Sequence, residues 1–136
     1  MSFLLVFAGE LAEWVASKTA VTDDEREGFI IRHDIDHENR KFRVIFSSKR
    51  LLSLLPKFSV VAADCTFKVT LEGYPLLVIV VIDAMRQAHP VAFSIITHQE
   101  QSDYCFAFNT ILDACSKLLG LRVAIDTFLS DGELIC

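Results

Sequence analysis

Residues 58–69 read FSVVAADCTFKV, residues 75–83 read PLLVIVVID and residues 91–97 read VAFSIIT. Each is a strand-length run rich in β-branched and aromatic residues. The links carry turn residues, Glu72-Gly73-Tyr74-Pro75 and then Met85-Arg86-Gln87. Links this short join antiparallel neighbours. Phe58 to Val69, Leu76 to Asp83 and Val91 to Thr97 are therefore expected as three meandering strands. The period then changes. Tyr104, Phe108, Ile111, Leu112, Cys115, Leu118 and Leu119 fall at helical spacing within Gln101 to Leu119, and Gly120 is a natural C-terminal stop. Val123 to Leu129 reads as a fourth strand running into Ser130-Asp131-Gly132. A helical crossover delivers that strand parallel to the first and beside it. The expected fold class is α/β, with a mixed sheet of three antiparallel strands, a helix and a parallel fourth strand.

Upstream, Leu4, Phe7, Ala8, Leu11 and Val15 make a helical stripe within Phe3 to Ser17, ended by the polar run Thr22-Asp23-Asp24-Glu25. Gly28 to Ile35 and Phe42 to Phe46 read as a β-hairpin around Asp36 to Lys41. Ser48 suits the cap of a short helix, Lys49 to Leu55, which Pro56 closes. The chain thus divides into an N-terminal helix and hairpin, residues 1–50, and the sheet and helix of residues 51–136. With 52% hydrophobic residues in 136, it can bury a sizeable core, which excludes a disordered chain.

The net charge of −5 excludes a chain that attracts nucleic acid as a whole, but its distribution is uneven. Nine acids and three bases lie between Glu10 and Glu38, whereas Arg40, Lys41, Arg43, Lys49, Arg50 and Lys57 follow with no acid among them. That basic segment is either a contact for phosphate backbone or a solvated hairpin and helix face. Cys65, Cys105, Cys115 and Cys136 show no C-x-x-C pair and no zinc spacing, so free buried thiols are expected. The apolar start lacks a basic segment before it, and Pro75 to Ile82 is too short to cross a bilayer. The chain reads as soluble and intracellular, with no membrane partner. Cys136 follows directly on a patterned segment, as in a truncated chain. No P-loop, dinucleotide fingerprint or nucleophile elbow is present.

On the first strand, Asp64 is expected to share a face with Phe58, Val60, Ala62 and Thr66. An ionised carboxylate among such neighbours needs compensation, from hydrogen bonds as a structural aspartate or from a bound cation. Asp131 ends the fourth strand beside Gly132. If the first and fourth strands are neighbours, Asp64 and Asp131 approach across the sheet despite lying 67 positions apart. Two such carboxylates raise each other's pKa unless a divalent ion neutralises them. Mg²⁺ or Mn²⁺ is the hard ion that oxygen ligands suit, and two-metal phosphoryl transfer uses this arrangement. Asp83 is read as the start of a turn, and Glu100 as an acid favoured at a helix N-terminus. His33 and His37 lie in strand and turn, where four residues span about 13 Å, too far for one ion. His89, before Pro90, reads as a turn residue, His98 as a strand end and Trp14 as core.

Asp64-Cys65-Thr66-Phe67-Lys68, Gly73-Tyr74-Pro75-Leu76, Asp83-Ala84, His89-Pro90-Val91-Ala92, Glu100 with Tyr104 and Phe108, and Ser130-Asp131-Gly132 occur in this order. Together they resemble the Mutator-like element (MULE) transposase domain from about Leu51 to Ile135. The resemblance implies a ribonuclease H-like fold and a DDE/D mechanism. Metal-bound carboxylates there activate water, and later a DNA 3′-hydroxyl, to attack phosphodiesters. By position Asp64 looks like the first catalytic and metal-binding acid and Asp131 like the second, with Mg²⁺ or Mn²⁺ as cofactor. The family's third acid, a Glu, lies beyond this end point, and no residue here takes its place. DNA at transposon ends and a nuclear setting are also implied; self-association is expected separately, because a sheet ended at its fourth strand lacks covering helices and exposes apolar surface. The alternative is a domesticated or decayed relative, a DNA- or protein-interaction module without catalysis.

Overall fold

The computed structural model describes residues 24–36, 38–66, 74–97, 101–123, 125, 127–130 and 133–134; for 65–66, 127–130 and 133–134 only the backbone path is described. The expected N-terminal helix with Trp14 lies outside these residues, as do His37, His98, Glu100, Asp131 and Cys136. The first element is a hairpin, β1 (Phe29–Asp36) and β2 (Lys41–Ser47), paired antiparallel. Its turn is built by Asp36, which accepts from the backbone amide and the side-chain amide of Asn39 at 3.1 and 2.7 Å. These bonds hold the Asp36 carboxyl below its ordinary pKa. Arg40 takes a positive φ of 56° to close the turn.

Ser48 caps α1 (Lys49–Leu52) by accepting from the Leu51 amide at 3.2 Å. The helix is shorter than expected. Leu54 bonds back only three residues, to Leu51, and Pro56 has no amide to continue an α ladder. The chain tightens instead into a 3-10 turn at Leu55–Lys57.

β3 (Val60–Thr66), β4 (Leu76–Ile82) and β5 (Ala88–Ile96) form the expected antiparallel meander. β5 begins earlier than the sequence suggests because a bulge at Val91 on β5, opposite Ile79 and Val80 of β4, lets pairing continue through Pro90 to Ala88. The buried Ser47 hydroxyl donates to the Val91 carbonyl beside that irregularity. His89, expected in a turn, is consequently a strand residue. α2 (Gln101–Leu119) matches its expected span, and Gly120 ends it at a φ of 63°. β6 (Thr127–Ser130) lies beside β3 in parallel register, and β7 (Glu133–Leu134) turns back along it. β6 starts later than Val123 because Thr127 already pairs with Val60, the first residue of β3. Val123 and Ile125 pack on the core instead.

The sheet order is β1-β2-β5-β4-β3-β6-β7, so the hairpin extends the sheet through β2–β5 pairing. This is a mixed α/β architecture compatible with a ribonuclease H-like fold. Leu77, Ile79 and Val81 of β4, with Val61 and Ala63 of β3, join Tyr104, Phe108, Ile111 and Cys115 of α2 and Leu52 and Leu55 in one buried cluster. Each fully buried aliphatic or aromatic chain contributes roughly 1.5–3 kcal/mol to folding. A smaller cluster, Ile30, Phe42 and Val44 with Ile95, Phe46 and Tyr74 against it, covers part of the opposite face.

Candidate functional site

Asp64 lies near the C-terminal end of β3, opposite Val78 of β4. The same lateral row continues through Phe93, Phe46 and Ile30 to the far edge of the sheet. Phe46 and Phe93 stack within it, ring centroids 5.6 Å apart. The residues of β3 that reach the buried cluster are Val61 and Ala63; Val60 and Ala62 are only half-buried, and Asp64 is exposed. This corrects the expectation of a carboxylate enclosed by apolar neighbours. Side chains alternate between faces along a strand, and the helical layer covers the odd-numbered positions. Water solvates the Asp64 charge, so burial does not call for a counter-ion.

The Asp64 carboxylate has no hydrogen-bond or ion-pair partner among the described residues. The parallel β6 runs beside it, with Ser130 opposite Ala63, the residue before Asp64. Asp131, next in sequence after Ser130, lies outside the described residues. Among the described residues no three His, Cys, Asp or Glu side chains gather as a metal-binding group.

Asp83 has the turn role expected of it. Its Oδ1 accepts from the amides of Met85 and Gln87, both at 2.8 Å, and its Oδ2 meets His89 Nε2 at 2.8 Å. Those contacts, the imidazole first and the Gln87 amide next, hold the carboxyl below its ordinary range. The His89 ring stacks on Phe58 at 5.8 Å. Val78 faces Asp64, and Asp83 lies five residues further along β4, about 17 Å away. It therefore cannot share an ion with Asp64.

A second polar node joins the hairpin to α2. Arg43 bonds Asp34 at 3.2 Å, Asp103 at 3.5 Å and the Ser102 carbonyl at 3.1 Å, while its guanidinium lies 4.3 Å from the Phe106 ring centre. Asp103 is also the acid of the first helical turn. Sequence patterning missed this node because its members are 9 and 60 positions from Arg43. The Asp83–His89 pair had a local signal: the two residues flank a short turn that brings their side chains within hydrogen-bond reach.

Cys115 is buried and free, its thiol pushed up by desolvation. Cys105 departs from the expected free thiols and is disulfide-bonded. Spacing rules describe cysteines close in sequence, whereas folding joins distant ones whose Cα atoms come within reach. No helix among the described residues is long and apolar enough to cross a membrane.

A family model described as "Zinc finger SWIM domain-containing protein 1/3, RNaseH-like domain" matches residues 21–125. The chain belongs to that family. The matched span of this RNaseH-like domain includes β1 to β5, α2 and Asp64, and it ends before β6 and Asp131. The nuclease-like fold it denotes agrees with the meander, crossover helix and sheet order of the structure. Comparison with curated proteins and with solved structures gave no match.

Proposed function

We propose that this chain carries the opening half of a DDE/D-type transposase catalytic domain, in which Asp64 and Asp131 are the first two metal-binding carboxylates. The observation that carries the reading is the exposed Asp64 carboxylate, without a partner among the described residues, near the end of β3 and beside β6 in an RNaseH-like domain. A hard divalent cation takes such an oxygen donor. Its surroundings leave the carboxylate accessible, so the residue fits the role; Asp131 is the second donor by the MULE resemblance. When bound, Mg²⁺ or Mn²⁺ would lower the barrier to phosphodiester attack by neutralising charge on the reacting oxygens. Asp64 holds and orients, and its position is set by the β3–β4 register. DNA cleavage and strand transfer in the intact MULE family need a third acid that no residue here matches. Transposon-end DNA as partner, self-association and a nuclear setting belong to the same proposal.

The test is calorimetric titration of Mn²⁺ into the chain and into Asp64→Asn. Binding by the first and its loss in the second are expected, the affinity being low for an incomplete ligand set. Equal binding by both proteins would sink the assignment. A second reading is a transposase-derived nucleic-acid- or protein-interaction module without catalysis. The family description favours it, since it names zinc finger SWIM domain-containing proteins rather than transposases.

A further inference from the structure

A separate concentration of charge lies toward the N-terminal end of β3. The Arg50 amide donates to the Glu25 carbonyl at 2.9 Å, and the Arg26 amide donates to Asp24 Oδ1 at 2.9 Å. These bonds fold the turn before β1 onto α1, bringing Arg26 beside the basic segment that sequence singled out. Arg26, Arg50 and Lys57 line one open cleft of about 670 Å³, together with Ser48 and Ser53. Among the described residues no carboxylate lines it; Asp24, Glu25 and Glu27 belong to the adjoining turn.

None of the three cations has an acidic partner among the described residues, whereas Arg43 and Lys117 do. That contrast matters in a chain of net charge −5, where acids are plentiful. Three unneutralised cations around one concavity repel one another and raise the local concentration of anions. Arginine forks match phosphate oxygens in a bidentate way, and lysine adds a mobile point charge. The framework is held in place: Ser48 caps α1, the Ser53 hydroxyl bonds the Arg50 carbonyl at 2.6 Å, and Pro56 stiffens the turn before Lys57.

We propose that this cleft binds the phosphodiester backbone of nucleic acid, without reading base sequence, as a contact separate from Asp64. Val60 and Asp64 alone are about 13 Å apart along β3, and Lys57 lies further back, so the two sites do not merge. Nucleic acid is the polyanion chosen because the domain is nuclease-like, and to that extent the inference rests on the reading above.

The experiment is fluorescence anisotropy of labelled duplex and single-stranded DNA with the full chain over a range of salt. Each cation that neutralises a phosphate contributes about 0.9 to the slope of log affinity against log salt on duplex, and about 0.7 on a single strand. The double variant Arg50→Gln, Lys57→Gln should therefore lose about 1.8 from the duplex slope and about 1.4 from the single-strand slope. Glutamine keeps much of each stem, and both residues lie on the cleft surface, so circular dichroism should stay unchanged. A charge-matched control, Lys117→Gln with Arg122→Gln, should leave both slopes as they were. Equal losses in the two double variants would reduce the effect to net charge and overturn the proposal. So would the absence of any DNA binding, or an unchanged slope in the cleft variant. A third overturning result is binding to phosphatidylserine vesicles that depends on Arg50 and Lys57 while DNA binding does not. Asp64→Asn separates the two readings: it should keep the salt slope, so failure of the unaltered chain to bind Mn²⁺ would sink the metal site and leave the cleft standing.

Discussion

Removing one buried hydroxyl should make this protein more stable. Ser94 lies on β5 between Ile45 of β2 and Leu77 of β4, both fully buried. Its Oγ is inaccessible to water and has no hydrogen-bond partner among the described residues. Burying a hydroxyl without a partner costs about 1–3 kcal/mol. Ser94→Ala deletes that atom and leaves a void of roughly 10–15 Å³, which at about 24 cal/mol per Å³ costs only ~0.3 kcal/mol. The net expectation is a gain of about 1–2 kcal/mol, or roughly 3–8 °C in Tm for a domain of this size. Urea unfolding followed by circular dichroism gives the value at 25 °C, and a thermal scan gives the shift. A loss of about 1 kcal/mol or more in Ser94→Ala would refute the reasoning, because it would mean that the hydroxyl bonds something in solution. Ser94→Thr keeps the hydroxyl and adds a methyl to a filled layer, so it should be destabilising.

Arg43 ties the hairpin to α2 through one guanidinium. Arg43→Met keeps most of the stem and should cost about 1–2 kcal/mol, the carboxylate contacts being discounted for solvent and the Ser102 carbonyl and Phe106 ring contributing the rest. Arg43→Lys should recover less than half of that, since an ammonium cannot reproduce the fork; full rescue in urea unfolding would contradict the geometry. The Asp83 carboxyl, lowered from an ordinary value of 3.8 by His89 and the turn amides, stabilises the ionised folded state. Its contribution is therefore complete above about pH 5 and disappears as pH falls through the depressed folded value. The Tm gap between wild type and Asp83→Asn should narrow accordingly in acid. A gap that widened below pH 4 would reverse the sign and defeat the assignment.

Much of the fold was legible because the period of the apolar residues changes cleanly. α2 appears with its expected bounds, since its apolar positions repeat at helical spacing and Gly120 needs the positive φ it adopts. The orientation of β3 was less accessible. Val60, Val61, Ala62 and Ala63 are all apolar, so the run conceals which parity faces the core; the α2 layer over Val61 and Ala63 decides it. Asp64 was found at its expected place in the chain but on an open face. The length of α1 depended on how Pro56 and Leu54 share their bonds, a local competition that propensity does not resolve. The basic cleft was half visible. Arg50 and Lys57 stood out as a charge run, but Arg26 sits among acids in sequence and is brought to them by the fold, in which the Arg50 amide bonds the Glu25 carbonyl.

The lateral row from Ile30 to Asp64 has a consequence for how this protein tolerates change. Sliding β3 by one residue would turn Asp64 inward beneath α2 and bring Val61 and Ala63 into water, so the apolar residues police the position of the acid. The acid gives nothing in return: exposed and without a partner among the described residues, it adds little to stability, and Asn or Ser in its place should fold as well. The scaffold thus preserves the address of residue 64 while leaving its occupant free. In related chains, then, an acid kept at that address is a record of use, and its replacement there a record of disuse.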